Sequence, residues 1–326
     1  MLENVLIFFG GLSVFILGIR LLCENCEKLL TGKMNFLLKK FAKNSTTSFM
    51  TGTVVSAISQ SSVAVNSALV SLVDAGCLSL LNACAVIVGV NVGTTMTTQL
   101  ISLTNMSFDI SLIACFLSFI GVIMASVKKT KTCGLMLTGF GFIFIGIKLI
   151  SPCATYFERY EFFMRIFTVK NPFLLMFYGI MFPAILQSSS VLTGIMVILS
   201  EQGVLCFSQN AFLILGANVG SCVGVILFSV DKNVMGKKCA YFNLLINVFG
   251  AILFTPLVIK FPNFIQKTFT GLSCKPERQL ANFHTLYNLV TSLLVLPFLK
   301  FFVKLTNVNF KGFFKQKKNK IIDKNV

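Results

Sequence analysis

Long apolar stretches separated by short polar and basic segments run along the whole chain. The predicted membrane-embedded segments are residues 5–22, 49–73, 80–103, 108–127, 137–150, 173–199, 204–230, 239–259 and 280–302. Because a helix rises ~1.5 Å per residue, about 20 apolar residues cross the ~30 Å hydrocarbon core of a bilayer. The pattern therefore predicts an all-α integral membrane protein with several spans.

Two of these apolar segments are interrupted by uncharged polar residues. The run Gln-Ser-Ser lies at 60–62, and the run Gln-Ser-Ser-Ser lies at 187–190. Non-helical backbone at membrane depth is tolerated only where it is buried in protein or lines a cavity. Each segment is therefore predicted to form two half-length helices that meet at a polar tip, as in a re-entrant hairpin.

A shift of 127 residues superposes the two polar runs and much of the sequence around them. Gln60 falls on Gln187, and the Gly-Val-Asn-Val-Gly run at 89–93 falls on Gly-Ala-Asn-Val-Gly at 216–220. The chain is thus predicted to contain two related halves. The predicted units are a first membrane repeat at 1–131, a second repeat at 132–260, a C-terminal membrane segment at 261–305 and a basic tail at 306–326.

The number of crossings predicts an inverted arrangement of the two repeats. One plain span, one re-entrant hairpin and two further spans cross the membrane three times, and an odd number inverts the second copy. Two glycines around an asparagine favour unwinding, so the spans at 80–103 and 204–230 are predicted to be broken helices. Inverted repeats with paired broken helices are typical of secondary transporters, which bind their substrate near the midplane.

Composition and charge narrow the classes of partner. The 326 residues are 55% hydrophobic and only 12% charged, which is typical of a protein whose partner is the lipid bilayer. The 28 basic residues lie in short clusters between apolar segments and in the tail, which places the tail in the cytoplasm and makes nucleic-acid binding improbable. Eleven cysteines, an odd number scattered through apolar stretches, do not predict a disulfide framework.

The polar side chains of the hairpins and broken spans form the candidate site. Hydroxyl and amide oxygens are ligands for an alkali cation, while helix N-termini offer N–H groups to an oxyanion. No Lys or Arg lies in these four segments, so helix dipoles and co-bound cations would compensate a bound anion. The candidate residues are Gln60, Ser61, Ser62, Asn66, Asn91, Thr94, Thr95, Gln187, Ser188, Ser189, Ser190, Thr193, Asn218 and Ser221.

These motifs resemble those of the sodium/phosphate cotransporter family, whose two inverted repeats each carry Gln-Ser-Ser-Ser and a Gly-Ala-Asn-Ile-Gly-Thr-Thr-like segment. The runs at 187–190 and 216–221 match closely, and the stretch at 281–288 is similar to the His-Thr-Leu-Phe-Asn stretch common in bacterial members. The resemblance implies that the serines and glutamines bind inorganic phosphate and sodium. It also implies a bacterial plasma-membrane protein with sodium as its coupling ion and no other cofactor.

The sequence departs from the family pattern at two places. The first motif carries Val63 in place of the third serine, and Asn66 lies opposite Thr193 in the repeat. Ser221 and Cys222 stand where Thr-Thr is usual. These departures leave the identity of the oxyanion and the ion stoichiometry open.

The expected function is sodium-coupled phosphate transport by alternating access at a midplane site. Transport of sulfate or a phosphonate, phosphate export, and a non-transporting scaffold for phosphate sensing remain alternatives. The hydroxyls of a serine pair in one membrane helix often bond the backbone of the preceding turn, which needs no ligand. Two such pairs in matched contexts favour a binding site instead. An intramembrane serine hydrolase is disfavoured because it needs a base and His284 is the sole histidine, so no enzyme is expected. The sequence leaves the direction of flux and the oligomeric state open.

Overall fold

The computed structural model describes residues 2–103, 110–157 and 169–307, and all regular secondary structure in these residues is helical. Most of the predicted basic tail, residues 308–326, lies outside the described residues. The helices are α1 Leu2–Phe41, α2 Ser45–Ser59, α3 Ser62–Asp74, α4 Leu80–Ile101, α5 Ile110–Ala125, α6 Lys131–Phe157, α7 Pro172–Leu186, α8 Ser189–Glu201, α9 Phe207–Gly220, α10 Cys222–Phe228, α11 Val234–Lys260, α12 Pro262–Leu272, α13 Pro276–Val295 and α14 Leu299–Leu305.

Several helices are long and apolar enough to cross a membrane. Within the described residues, five such spans are Val5–Leu30, Leu80–Ile101, Lys131–Ile150, Phe207–Phe228 and Val234–Lys260. The bent pair α13 and α14 would be a sixth. The prediction of an all-α, multi-pass membrane protein is confirmed.

Both polar runs interrupt their helices, as predicted. Helix α2 ends at Gln60, whose φ of 56° lies in the left-handed region, and Ser61 then caps α3 by accepting a hydrogen bond from the Ala64 N–H at 3.3 Å. Helix α7 ends in the same way at Gln187, with φ of 53°, and Ser188 is the extended N-cap residue of α8. A single residue in the left-handed conformation is enough to end a helix, and this explains why each break is so short.

The sequence repeat is also a repeat of local structure. The bounds of α2 and α3 recur 127 residues later in α7 and α8, and those of α4 recur in the α9–α10 pair. The described glycines with positive φ, Gly76 at 68° and Gly203 at 74°, occupy matching positions after α3 and α8. The same residue pattern therefore produces the same helix boundaries in both halves.

The predicted unwinding around Asn91 is wrong, and in the second half the only interruption of the helix is at Ser221, after the glycine-flanked Asn218. Helix α4 is continuous through residues 89–95, and α9 runs to Gly220 with only Ser221 between it and α10. A methyl group at Gly89 would overlap the Phe49 carbonyl of α2, and one at Gly220 would overlap the Ile180 carbonyl of α7. These glycines serve close helix packing, which membrane proteins commonly build on small residues, and they leave the backbone helical.

The last apolar segment, 280–302, is not one straight span. Helices α13 and α14 meet at an angle of 89°, with residues 296–298 between them. Pro297 lies in this turn, and a proline lacks the N–H that would continue the helical hydrogen bonds. The predicted single crossing is therefore replaced by a helix and a short arm.

The helices that follow α4 and the α9–α10 pair have different surroundings in the two halves. Helix α5 packs on α6 and exposes large apolar side chains, with Phe116 and Phe119 both 64% exposed. Helix α11 packs instead on α3, α4 and α9, where it buries Asn243 and Asn247. The two halves thus differ at these helices, because α5 exposes its apolar side chains and α11 carries polar groups into the core.

Candidate functional site

The two helix breaks meet at one cavity of about 220 Å³. Residues 60–63 line it from the first break, and residues 186–190 line it from the second. The rest of the lining comes from α1, at Ile19, Arg20, Cys23, Glu24 and Glu27. Motifs that are 127 residues apart in the sequence therefore share a single polar chamber.

Helices α3 and α8 both begin at this cavity. The first N–H groups of a helix have no partner within the helix and carry the positive end of its dipole. At α3, the Ser61 hydroxyl accepts one of these hydrogen bonds; at α8, the Ser188 hydroxyl makes no such bond. The second break thus leaves more of its donors for a ligand.

The two matched glutamines differ in their surroundings. Gln60 is 8% exposed; its Oε1 accepts a 2.7 Å hydrogen bond from the Thr97 hydroxyl, and its amide donates to the Ala57 carbonyl. Gln187 is exposed, and the structure shows no hydrogen bond of its side chain within the described residues. Gln60 therefore ties the first break to α4, while Gln187 is placed to contact a ligand.

The residues one turn beyond the breaks are buried and do not line the cavity. Asn66 is 2% exposed, and its Oδ1 has no hydrogen-bond partner among the described residues. At the matching position, the Thr193 hydroxyl donates to the Ser190 carbonyl at 3.2 Å. A buried amide oxygen without a partner is unfavourable unless something binds it, which makes Asn66 Oδ1 a candidate cation ligand.

The candidate residues of α4 join neighbouring helices instead of lining the cavity. The Thr94 hydroxyl lies 3.2 Å from that of Ser56 on α2, and the Asn91 amide donates to Asn247 Oδ1 on α11 at 3.3 Å. The Thr95 hydroxyl bonds the Val92 carbonyl within its own helix. Thr94 and Asn91 therefore link α4 to α2 and to α11, whereas Thr95 makes no link between helices.

The matching residues of the second half are bonded within their own helix. The Asn218 amide donates to the Ile214 carbonyl at 2.9 Å, and the Ser221 hydroxyl donates to the Asn218 carbonyl at 2.7 Å. Of the fourteen sequence-predicted residues, the cavity thus brings together those at 60–62 and 187–190.

Sequence reasoning missed the charged residues of the cavity. Arg20, Glu24 and Glu27 lie on α1, outside the four segments that supplied the predicted site residues. The available signal was an arginine inside the apolar run 5–22, because ionisable residues in membrane spans usually mark functional sites. An anion in the cavity therefore meets a cation as well as helix dipoles.

The sole histidine is not paired with a cavity serine. His284 Nδ1 lies 2.9 Å from the Thr98 hydroxyl, and its carbonyl accepts the Asn288 amide at 3.0 Å. A serine nucleophile needs a base within hydrogen-bond reach. The geometry does not supply His284 as that base for Ser61 or Ser188, neither of which shares its surroundings.

The spans and the shared polar cavity define a multi-pass membrane protein with a polar site between its helices. The sequence model of the Na+/Pi-cotransporter family matches residues 14–152 and 157–273, and the chain belongs to this family. This confirms the resemblance described above.

Similar proteins come from bacteria. The chain is 28% identical over 307 residues to YqeW of Bacillus subtilis, an uncharacterised protein; the match covers 93% of this chain and 98% of YqeW. It is 25% identical over 300 residues to YjbB of Escherichia coli, provisionally named an inorganic phosphate export protein. That match covers 90% of this chain but only 54% of YjbB, so the chain spans about half the length of that relative. No solved structure matches the chain.

Proposed function

We propose that the protein transports inorganic phosphate across the membrane, coupled to sodium, through the cavity at the two helix breaks. The observation that carries this proposal is the meeting of both Gln-Ser-Ser motifs, and of two helix N-termini, at one polar chamber. Helix N-termini are ready sites for oxyanions. Family membership supports phosphate as the substrate.

The coupling ion has candidate ligands of the kind that sodium prefers. Serine hydroxyls line the cavity, and the Asn66 amide oxygen, buried one helical turn beyond Ser62, has no hydrogen-bond partner in the part of the chain that the structure describes. A sodium ion held by these oxygens adds positive charge beside the phosphate. Each ion then strengthens the binding of the other, which is the physical basis of coupled transport.

Alternating access would come from movement of the two halves about the shared cavity. The matched bounds of α2 and α3 with α7 and α8 support two equivalent gates, one from each half. In this proposal the repeats are inverted, each broken pair is a re-entrant hairpin, and the basic tail lies in the cytoplasm. Such an arrangement opens the cavity to one side of the membrane at a time.

Phosphate export is a second candidate direction. The name of YjbB, which refers to phosphate export, favours it. Export and uptake would use the same cavity, so the two candidates differ only in the direction of the ion gradient that drives phosphate across the membrane.

Transport is tested with purified protein in proteoliposomes. Radiolabelled phosphate is supplied outside, and uptake is compared between an inward sodium gradient and an equal potassium gradient, with empty liposomes as the control. A sodium-dependent signal supports the proposal, and loss of signal with excess sulfate would redirect it to sulfate. Liposomes preloaded with labelled phosphate test export. If phosphate moves in either direction without responding to sodium, the coupling proposal is wrong. If no phosphate moves in either direction, the transport proposal is wrong and the scaffold hypothesis becomes the stronger one.

A further inference from the structure

Arg20 is the only cation among the described residues that line the cavity. It lies on α1 inside the Val5–Leu30 span, and its side chain is exposed. A charged side chain within a span is unfavourable unless it faces a polar chamber or pairs with another charge. No salt bridge to Arg20 occurs within the described residues.

The packing of α1 holds Arg20 in register with the second break. Phe15 and Ile19 are fully buried, and both contact the position of Gly194 on α8. A methyl group on Gly194 would overlap the Phe15 ring. Because Arg20 follows Ile19 directly, this contact positions its guanidinium relative to the serines that begin α8.

The other charged side chains that line the cavity are acidic. Glu24 and Glu27 follow Arg20 at spacings of four and seven residues and therefore lie on the same face of α1. Without Arg20, a doubly charged oxyanion would meet these two carboxylates and no fixed cation. Arg20 thus supplies the side-chain positive charge that opposes these two carboxylates and adds to the helix N-termini at the cavity.

We propose that Arg20 is the specificity-determining residue that binds the oxyanion in this cavity. This inference rests on the proposed function, and in it Arg20 binds the anion together with the two helix N-termini. A guanidinium presents two parallel N–H donors that match two oxygens of a tetrahedral oxyanion. The arginine therefore selects a tetrahedral, doubly charged anion over a singly charged one.

Lys148 supplies a matched control. It corresponds to Arg20 in the repeat, at an offset of 128 residues, and it lies on α6 with an exposed side chain. Lys148 does not line the cavity. Removing its charge changes the net charge of the protein as much as removing that of Arg20, but leaves the cavity lining intact.

The test is equilibrium binding of radiolabelled phosphate to the purified protein in sodium-containing buffer. Loss of charge-assisted hydrogen bonds in Arg20→Gln should raise the Kd about 10- to 100-fold. Arg20→Lys keeps the charge without the paired donors and should give an intermediate Kd. Lys148→Gln should stay within about twofold of the wild type, and thermal melting of each variant confirms that it is folded.

A second measurement uses the unmodified protein and does not depend on a variant that folds. Phenylglyoxal labels accessible arginines, and mass spectrometry of the Arg20 peptide reports its modification. Phosphate should protect Arg20 from labelling, while nitrate at the same ionic strength should not.

The outcomes separate the two proposals. Wild-type binding with an unchanged Kd in folded Arg20→Gln, or labelling of Arg20 that phosphate does not slow, overturns the inference about Arg20 alone. A wild-type protein that binds neither phosphate nor sulfate overturns the proposed function, and the inference with it.

Discussion

Replacing Gln60 by alanine should destabilise the protein far more than the matched replacement of Gln187. Both residues have positive φ, and alanine has the same steric problem there as glutamine, so the backbone contribution cancels. What differs is the side chain. Gln60 is buried and makes two hydrogen bonds, to Thr97 and Ala57, whereas Gln187 is exposed.

The magnitude follows from those two bonds. Each contributes about 0.5–1.5 kcal/mol, and the buried Thr97 hydroxyl would lose its acceptor, so we expect Gln60→Ala to lower the free energy of unfolding by about 2–4 kcal/mol. Gln187→Ala should change it by less than about 0.5 kcal/mol, which is typical of an exposed side chain. At roughly 2 °C per kcal/mol, the apparent Tm should fall by about 4–8 °C for Gln60→Ala only.

The assay is thermal melting of both variants in the same detergent, followed by phosphate uptake into proteoliposomes. A Thr97→Val variant and the Gln60→Ala/Thr97→Val double variant complete a cycle, in which the two losses should overlap by about 1 kcal/mol. Gln187→Ala should remain folded and lose uptake, because its side chain is free to contact the ligand. Equal Tm shifts for the two glutamines, or additive losses in the cycle, would refute this reasoning.

Three further changes follow from the packing and the cavity lining. Val63→Ser places a hydroxyl where the second motif has Ser190, and phosphate Kd should fall about 3- to 10-fold in the binding assay if that position contacts the anion; an unchanged Kd would exclude the contact. Asn66→Ala removes a buried oxygen without a partner, so the sodium concentration for half-maximal uptake should rise at least about threefold, measured against the same apparent Tm. Gly18→Ala would press a methyl group into the α6 backbone and should destabilise by about 1–3 kcal/mol, whereas Gly10→Ala, in open space, should be neutral or slightly stabilising in thermal melts.

The local features of the chain could be predicted because their causes are local. Apolar runs of span length and polar interruptions act within one segment, and they appear in the structure as helices with C-cap residues at Gln60 and Gln187. The 127-residue repeat reproduced helix bounds because the same sequence pattern makes the same helix ends. The unwinding predicted at residues 89–93 does not occur, and the sequence could not show this, because a glycine that permits unwinding and one that permits close packing look identical in sequence.

The cavity required the tertiary structure, because its parts come from distant segments. The two Gln-Ser-Ser runs were identified from the sequence, and the structure placed both at the same chamber. Arg20 belongs to that chamber only because Phe15 and Ile19 seat α1 against α8, and the burial of Gln60 depends on Thr97 of α4. Helix ends are set by short-range interactions along the chain, and the sequence therefore predicts them. Which side chains share a cavity is decided by packing between helices that are far apart in the sequence.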